Sequence, residues 1–274
     1  MEIRVVNATG QTCNKFWIFA NLIADAYENN FQIWVLAPDM TLRDYPTLIN
    51  NDIIKFPLYS EHLSKYFDYK KLVNFTDRLV SNKISNAILG SIYNFLSNFS
   101  YRKLDAGDVK SPFKKKYFND IKRLFTPAKN ITDECEDFFR KNFKEVDIVV
   151  GVHIRYGDYR TFEGGKYFYN LDIYNTKMIE IENAFPEKRI GFFVASNEHI
   201  DLSFFRDRKV FTLPNSNATK DLYCLRLCNY LIGAPSTFSA WASYLASTEI
   251  YFIEDVNNVV NKSSFASIEQ LWNE

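Results

Sequence analysis

From Ile131 to Ile253, short apolar β-branched runs alternate with stretches of helical periodicity, and this rhythm constrains the fold more than any other feature. Val146 to Ile154 reads Val-Asp-Ile-Val-Val-Gly-Val-His-Ile, the near-continuous pattern of a strand buried on both faces of a parallel sheet. Four more strand runs follow at Arg189–Ala195, Val210–Leu213, Tyr230–Gly233 and Ile250–Ile253. Helical patterns at Leu171–Ala184, Asn197–Phe205, Thr219–Cys228 and Ser236–Ala246 separate them. A further helix is expected over Thr132–Asn142, capped by Thr132, with Asp133, Glu134 and Glu136 in its first turn. Five strands with intervening helices make a doubly wound α/β half of Rossmann type. Ligands of such sheets bind outside the carboxyl ends of the strands.

The amino-terminal part repeats the rhythm more briefly. Ile3–Val6 is a short strand, Thr9-Gly10-Gln11-Thr12 a turn, and Asn14–Asn29 a helix with Phe16, Phe19, Ala20, Ile23, Ala24 and Tyr27 at three- and four-residue spacing. Phe31–Leu36 and Ile53–Phe56 read as second and third strands, giving a parallel βαβ unit. Strand runs are absent from about Leu58 to Asn130, where Leu79–Phe99 and the stretch opened by Lys114-Lys115-Lys116 read as helices. The division expected is residues 1–130 and 131–274.

Charge narrows the partners. Lys and Arg number 33 against 33 Asp and Glu, so nothing supports a nucleic-acid binder working through bulk positive charge. No window approaches the roughly 18 apolar residues that span a bilayer. The first residues read as a strand, not a secretory signal, so a cytoplasmic protein is expected. Cys224 and Cys228 share a helix face with Leu222, Leu225 and Leu227 around them, which favours buried thiols over a metal pair. Aromatic residues make up 17% of the chain, and a bias toward Asn, Lys and Ile accounts for this as readily as a binding surface does.

Four polar clusters fall at the carboxyl ends of strands. The strand from Val146 ends in His153-Ile154-Arg155-Tyr156-Gly157-Asp158-Tyr159. Alternation puts His153 and Arg155 on one side. An arginine there either clamps a phosphate with its planar fork or pairs with Asp158. Pro235-Ser236-Thr237-Phe238-Ser239 opens a helix, where Ser236 as cap and the N–H groups as an anion site use the same geometry. Asp221 by itself is an ordinary first-turn acid. Thr9-Gly10-Gln11-Thr12-Cys13-Asn14-Lys15 follows the first strand, and no Gly-x-Gly-x-x-Gly or Walker sequence occurs anywhere, against dinucleotide enzymes and P-loop kinases. With three histidines and no His-Glu-x-x-His, a multi-histidine metal site is not expected. A transfer that holds a diphosphate leaving group with arginine and helix dipoles fits better.

Gly151-Val-His-Ile-Arg-Tyr-Gly-Asp-Tyr159 resembles the His-x-Arg-x-Gly-Asp-Tyr motif of the fucosyltransferase superfamily, especially its α-1,2-fucosyltransferases. Lys220 to Leu245 resembles their second signature, and Gly10 with Asn14 is similar to their Gly-x-x-x-Asn segment. The resemblance implies a GT-B fold, two Rossmann-like halves facing across a cleft, with acceptor on the amino-terminal half and GDP-fucose on the carboxyl-terminal half. It implies that Arg155 holds the β-phosphate, that His153 lines the nucleotide pocket and that Asp221 bonds guanine. Ser236, Thr237 and the backbone of Phe238 then cradle the phosphates, Asn14 reaches the diphosphate or the acceptor across the cleft as a catalytic residue, and Gly10 in the same loop belongs to the nucleotide-sugar site. Asp158 is the candidate for the base or for orienting the acceptor. No cofactor or metal is implied beyond the GDP-fucose donor. The partners implied are that donor and a glycan acceptor, which if lipid-linked brings peripheral membrane contact. The likeness departs at Tyr156, where the α-1,2 enzymes carry a second arginine. Transfer of another nucleotide-linked deoxyhexose, and a catalytically silent glycan or nucleotide-sugar binder, are the alternatives.

Overall fold

The computed structural model describes residues 2–8, 10–35, 40–57, 59, 99–104 and 115–271. The chain divides into two compact units, Met1–Ala128 and Lys129–Glu274.

In the first unit β1 (Glu2–Ala8), α1 (Thr12–Asn29), β2 (Phe31–Val35), α2 (Pro46–Ile49), β3 (Ile54–Lys55), β4 (Phe99–Leu104) and α3 (Phe118–Leu124) follow in order. The strands form a parallel sheet ordered β3-β2-β1-β4. The expected apolar spacing of α1 is its buried face, with Phe16, Phe19, Ala20 and Ile23 fully enclosed. Phe16 packs on Tyr45 and Phe125 with ring centroids 5.1 and 5.0 Å apart. The helix ends where Asn30 turns left-handed (φ 54°) and donates its N–H to Ala26 O. β4 corrects the expectation that strands vanish between residues 58 and 130. Its sequence, Phe-Ser-Tyr-Arg-Lys-Leu, lacks an apolar run, and among the described strands it stands at one end of the sheet. The helices expected at 79–99 lie, up to residue 98, outside the described residues.

The second unit runs α4 (Lys129–Asn142), β5 (Ile148–Ile154), α5 (Leu171–Ala184), β6 (Ile190–Ser196), β7 (Lys209–Phe211), α6 (Ala218–Arg226), β8 (Tyr230–Gly233), α7 (Thr237–Ala246), β9 (Glu249–Phe252) and α8 (Ile268–Leu271). Its parallel sheet is ordered β7-β6-β5-β8-β9. Renumbered from β5 this is 3-2-1-4-5, the doubly wound order, and the first unit shows 3-2-1-4 by the same count. In both, strand order reverses beside the first strand, the place where doubly wound sheets bind their ligands.

Two local expectations fail. Thr132 does not cap α4. The helix begins at Lys129, Thr132 is buried inside it with its hydroxyl donating to Lys129 O, and the acids fall beyond the first turn. Lys129 instead pairs with Asp133 one turn on, at 2.7 Å. The helix expected over Asn197–Phe205 shrinks to one 3₁₀ turn, Leu202–Phe205, because Asn197 and Glu198 are engaged elsewhere. The aromatic richness has a packing role: Phe139, Phe143, Phe193 and Phe211 form one chain of ring contacts at 5.0 to 5.4 Å. No helix among the described residues is long and apolar enough to cross a membrane.

Candidate active site

The switch point of the second unit lies between β5 and β8, which run parallel with His153 beside Gly233. Just beyond, β5 delivers Arg155 and β8 delivers Pro235 and Ser236. Ser236 is the N-cap of α7, its hydroxyl accepting from Phe238 N at 3.2 Å. The amino end of this helix, which Ser236, Thr237 and Phe238 form, carries partial positive charge into the crevice.

His153 fastens that helix to the sheet. Its Nδ1 lies 3.2 Å from Ser239 Oγ and its ring packs 4.9 Å from that of Phe238. Burial, reinforced by the charge of Arg155, pushes its pKa down to about 3, so the imidazole is neutral at physiological pH. Only 3% of the residue is exposed. The ring therefore stands enclosed against Ser239 and Phe238 at the helix end.

Arg155 is largely enclosed and pairs through Nη2 with Asp158 Oδ1 at 2.8 Å. Its guanidinium lies 5.6 Å from the ring centroid of Tyr159. The Tyr159 hydroxyl donates to Pro235 O at 2.5 Å, tying the first signature to the second. Gly157 turns the chain with φ +59°, a conformation that β-carbons disfavour, and a Cβ there would stand 2.6 Å from Asn197 Nδ2. The Tyr156 N–H goes to Asn197 Oδ1 at 2.8 Å and the Gly157 N–H to Glu198 Oε1 at 2.9 Å. Arg160 forks onto Glu198 at 2.5 and 2.8 Å.

Asp221 is more than a first-turn acid. Asn217 caps α6 by accepting from Lys220 N, and the Ser216 hydroxyl donates to the Asp221 carboxylate. Burial raises the Asp221 pKa to about 6, against a smaller lowering by Ser216. Cys135, Cys224 and Cys228 are all buried nearby. The hydrogen bond to Cys135 and then burial drive the Cys224 thiol upward, so it stays protonated.

In the first unit Gly10 has φ +90°, and a Cβ there would stand 2.7 Å from Asn14 Nδ2. Asn14 Oδ1 is buried with no hydrogen-bond partner among the described residues. The sequence thus brings His153, Arg155, Asp158, Ser236, Thr237 and Phe238 to the carboxyl ends of the adjacent strands β5 and β8. Asp221 stands in the same unit, and Gly10 and Asn14 in the other. A polar groove of about 390 Å³, lined by Asn50, Asp52 and Arg123 among others, holds none of them.

The family model described as Glycosyl transferase family 11 matches residues 57–272. The chain belongs to glycosyltransferase family 11. Among solved structures, fucosyltransferase NodZ from Bradyrhizobium aligns at 14% identity over 95% of this chain and 98% of its own, with a TM-score of 0.60. A point mutant of Arabidopsis thaliana FUT1 in complex with GDP aligns at 12% identity over 98% and 75%, with a TM-score of 0.58. POFUT1 in complex with GDP-fucose aligns at 11% identity over 89% and 94%, with a TM-score of 0.55. No curated protein matches the sequence. At such identities the structural likeness shows the fold, which is GT-B-like with two Rossmann-like halves, and the family match makes the chain a glycosyltransferase. The family 11 match also spans residues 57–130, where the sequence motifs are silent.

Three residues around this family 11 site escape a reading of the sequence alone: Asn197, Glu198 and the anchoring hydroxyl of Tyr159. Tyr159 carries a signal, since it closes the first signature. Asn197 and Glu198 follow a buried strand in a parallel sheet, and that position is their only signal.

Proposed function

We propose that the chain transfers L-fucose from GDP-β-L-fucose to a glycan hydroxyl, with inversion and without a metal ion. The observation that carries this reading is the placement of Arg155 and the amino end of α7 just beyond the ends of the adjacent strands β5 and β8. A guanidinium and a helix dipole supply the positive charge that a departing diphosphate needs. The solved NodZ structure soaked with GDP-fucose and the POFUT1 complex with GDP-fucose support the choice of donor.

In this reading residues 131–274 hold the nucleotide sugar and residues 1–130 the acceptor. Ser236, Thr237 and the Phe238 backbone cradle the phosphates, with His153 keeping their helix in place. Asp221, as carboxylate, accepts from the two N–H donors on one edge of guanine. Asn14 serves the acceptor, and Gly10 lets the backbone of its loop approach the nucleotide sugar. The acceptor oxygen bonds to the anomeric carbon as that carbon's bond to the β-phosphate oxygen breaks, and Arg155 takes up the charge left on GDP. The hydroxyl proton goes to Asp158. Asp158 holds one arm of Arg155 at 2.8 Å, and a diphosphate that takes over that arm frees the carboxylate to act as base. We assign an α-1,2 linkage from the paired signatures, and a cytoplasmic reaction on a free or lipid-linked glycan.

Isothermal titration with GDP, GDP-fucose, GDP-mannose and UDP-sugars, all with EDTA present, tests the donor and metal assignments. GDP and GDP-fucose are expected to bind and UDP-sugars not to. Absence of binding to any guanine nucleotide overturns the reading.

A further inference from the structure

We propose that Asn197 and Glu198, at the carboxyl end of β6, are positioning residues for Arg155 that act on the transfer step more than on nucleotide binding. The proposal rests on the role of Arg155 given above.

The β5–β6 ladder ends with Ile154 beside Ser196. One step further the main chains part, and the N–H groups of Tyr156 and Gly157 leave the sheet. Left without partners beside a substrate crevice, they would let the chain reorient. Each is met instead by a side chain, Asn197 for Tyr156 at 2.8 Å and Glu198 for Gly157 at 2.9 Å. Consecutive residues of one strand end thus bond consecutive residues of the other, so the ladder continues for two rungs in side chains. Arg155 sits between the last main-chain rung and the first side-chain rung. The peptide plane that follows it is therefore fixed, and the direction of its side chain with it.

The remaining contacts point the same way. Glu198 takes the Gly157 N–H and both arms of Arg160, which fixes the carboxylate in turn. Arg160 packs over the rings of Tyr156 and Phe168, with centroids 5.5 and 5.2 Å away. Tyr156, where related enzymes carry a second arginine, here supplies the surface on which a guanidinium four residues later is held. The left-handed Gly157 then brings Asp158 back to Arg155. A clamp of this kind matters most where charge develops, because a catalytic group misplaced by about 1 Å costs on the order of 100-fold.

The test combines GDP titration, thermal unfolding and the kcat of fucose release from GDP-fucose. Asn197→Ala and Glu198→Ala are expected to lower kcat about 10- to 100-fold, with GDP affinity within about threefold of wild type. Asn197→Asp and Glu198→Gln, which keep an acceptor for each N–H, are expected to recover most of kcat. Alanine variants with wild-type kcat, or losses in kcat matched by equal losses in GDP affinity, overturn the proposal. Should the alanine variants fail to fold, Arg160→Gln decides. It cuts only the exposed half of the clamp and is expected to lower kcat several-fold at unchanged GDP affinity, and wild-type kcat in it counts against the clamp. Failure of the wild-type chain to bind GDP counts instead against the donor assignment, so the two failures are distinct.

Discussion

The two units share a strand order and differ in what they place where that order reverses. In the first, residues 9–11 take the chain directly from β1 into α1. In the second, residues 155–170 intervene between β5 and α5, and they hold Arg155, Asp158, Tyr159 and Arg160. One short turn offers backbone, Gly10 and Asn14. The long loop offers cations and a carboxylate, held by the Asn197 and Glu198 side chains beyond β6 and the Pro235 carbonyl beyond β8. On the proposed function, topology marks the same place in both halves, and loop length and charge assign the charged leaving group to the second.

The sharpest way to break this contrast is Arg155→Ala. Removing a donor to the developing charge is expected to lower kcat by about 10²- to 10³-fold, measured as fucose release from GDP-fucose. Arg155→Lys keeps the charge but not the planar fork, and is expected to recover only part of the loss. An Arg155→Ala variant within threefold of wild type would mean that the long loop is not the catalytic one.

How far the sequence could foretell this contrast depended on the range of the interactions. A parallel strand buried on both faces must be apolar throughout, so β5 and its terminal His153–Tyr159 stand out, and α5 and β8 fall where periodicity puts them. β4 escaped because Phe-Ser-Tyr-Arg-Lys-Leu carries no apolar β-branched run. Asn197 and Glu198 read as the start of a helix, since polar residues after a strand suit a cap, and only contacts with Tyr156 and Gly157 reveal their use. The depth of Asp221 was equally hidden. Its helix position follows from local pattern, whereas its burial depends on how α6 is packed.

The short turn of the first unit is probed by Asn14→Ala. Its buried Oδ1 finds no partner among the described residues, which suits a group that meets substrate. With the acceptor assigned to this half, GDP affinity is expected to stay within about twofold. Transfer to an added acceptor should fall about 10- to 30-fold, the scale of one lost hydrogen bond to a charged or reacting group. Equal losses in GDP affinity and transfer would shift Asn14 to the donor side and erase the division of labour.

The smallest expected effect is in pH dependence, and it separates the nucleotide half from the acceptor half without touching the crevice. Burial raises the Asp221 pKa from 3.8 to about 6, so the folded protein holds this proton over a range in which the unfolded chain has released it. The group's contribution to stability is present below about pH 3.8 and is lost as pH rises through 6. Binding runs the other way. If guanine bonds the carboxylate, ionisation must precede binding, and affinity rises with pH until the group is fully ionised. GDP-fucose is the ligand to use, because its diphosphate diester has no proton to lose in this range. From pH 7 to pH 5 its affinity is expected to fall about tenfold, as the ionised fraction does for a group titrating near 6. Asp221→Asn should bind more weakly at pH 7 and show a flat profile. A flat profile in the wild-type chain would remove Asp221 from guanine recognition while leaving Arg155 and the α7 helix end as the anion site.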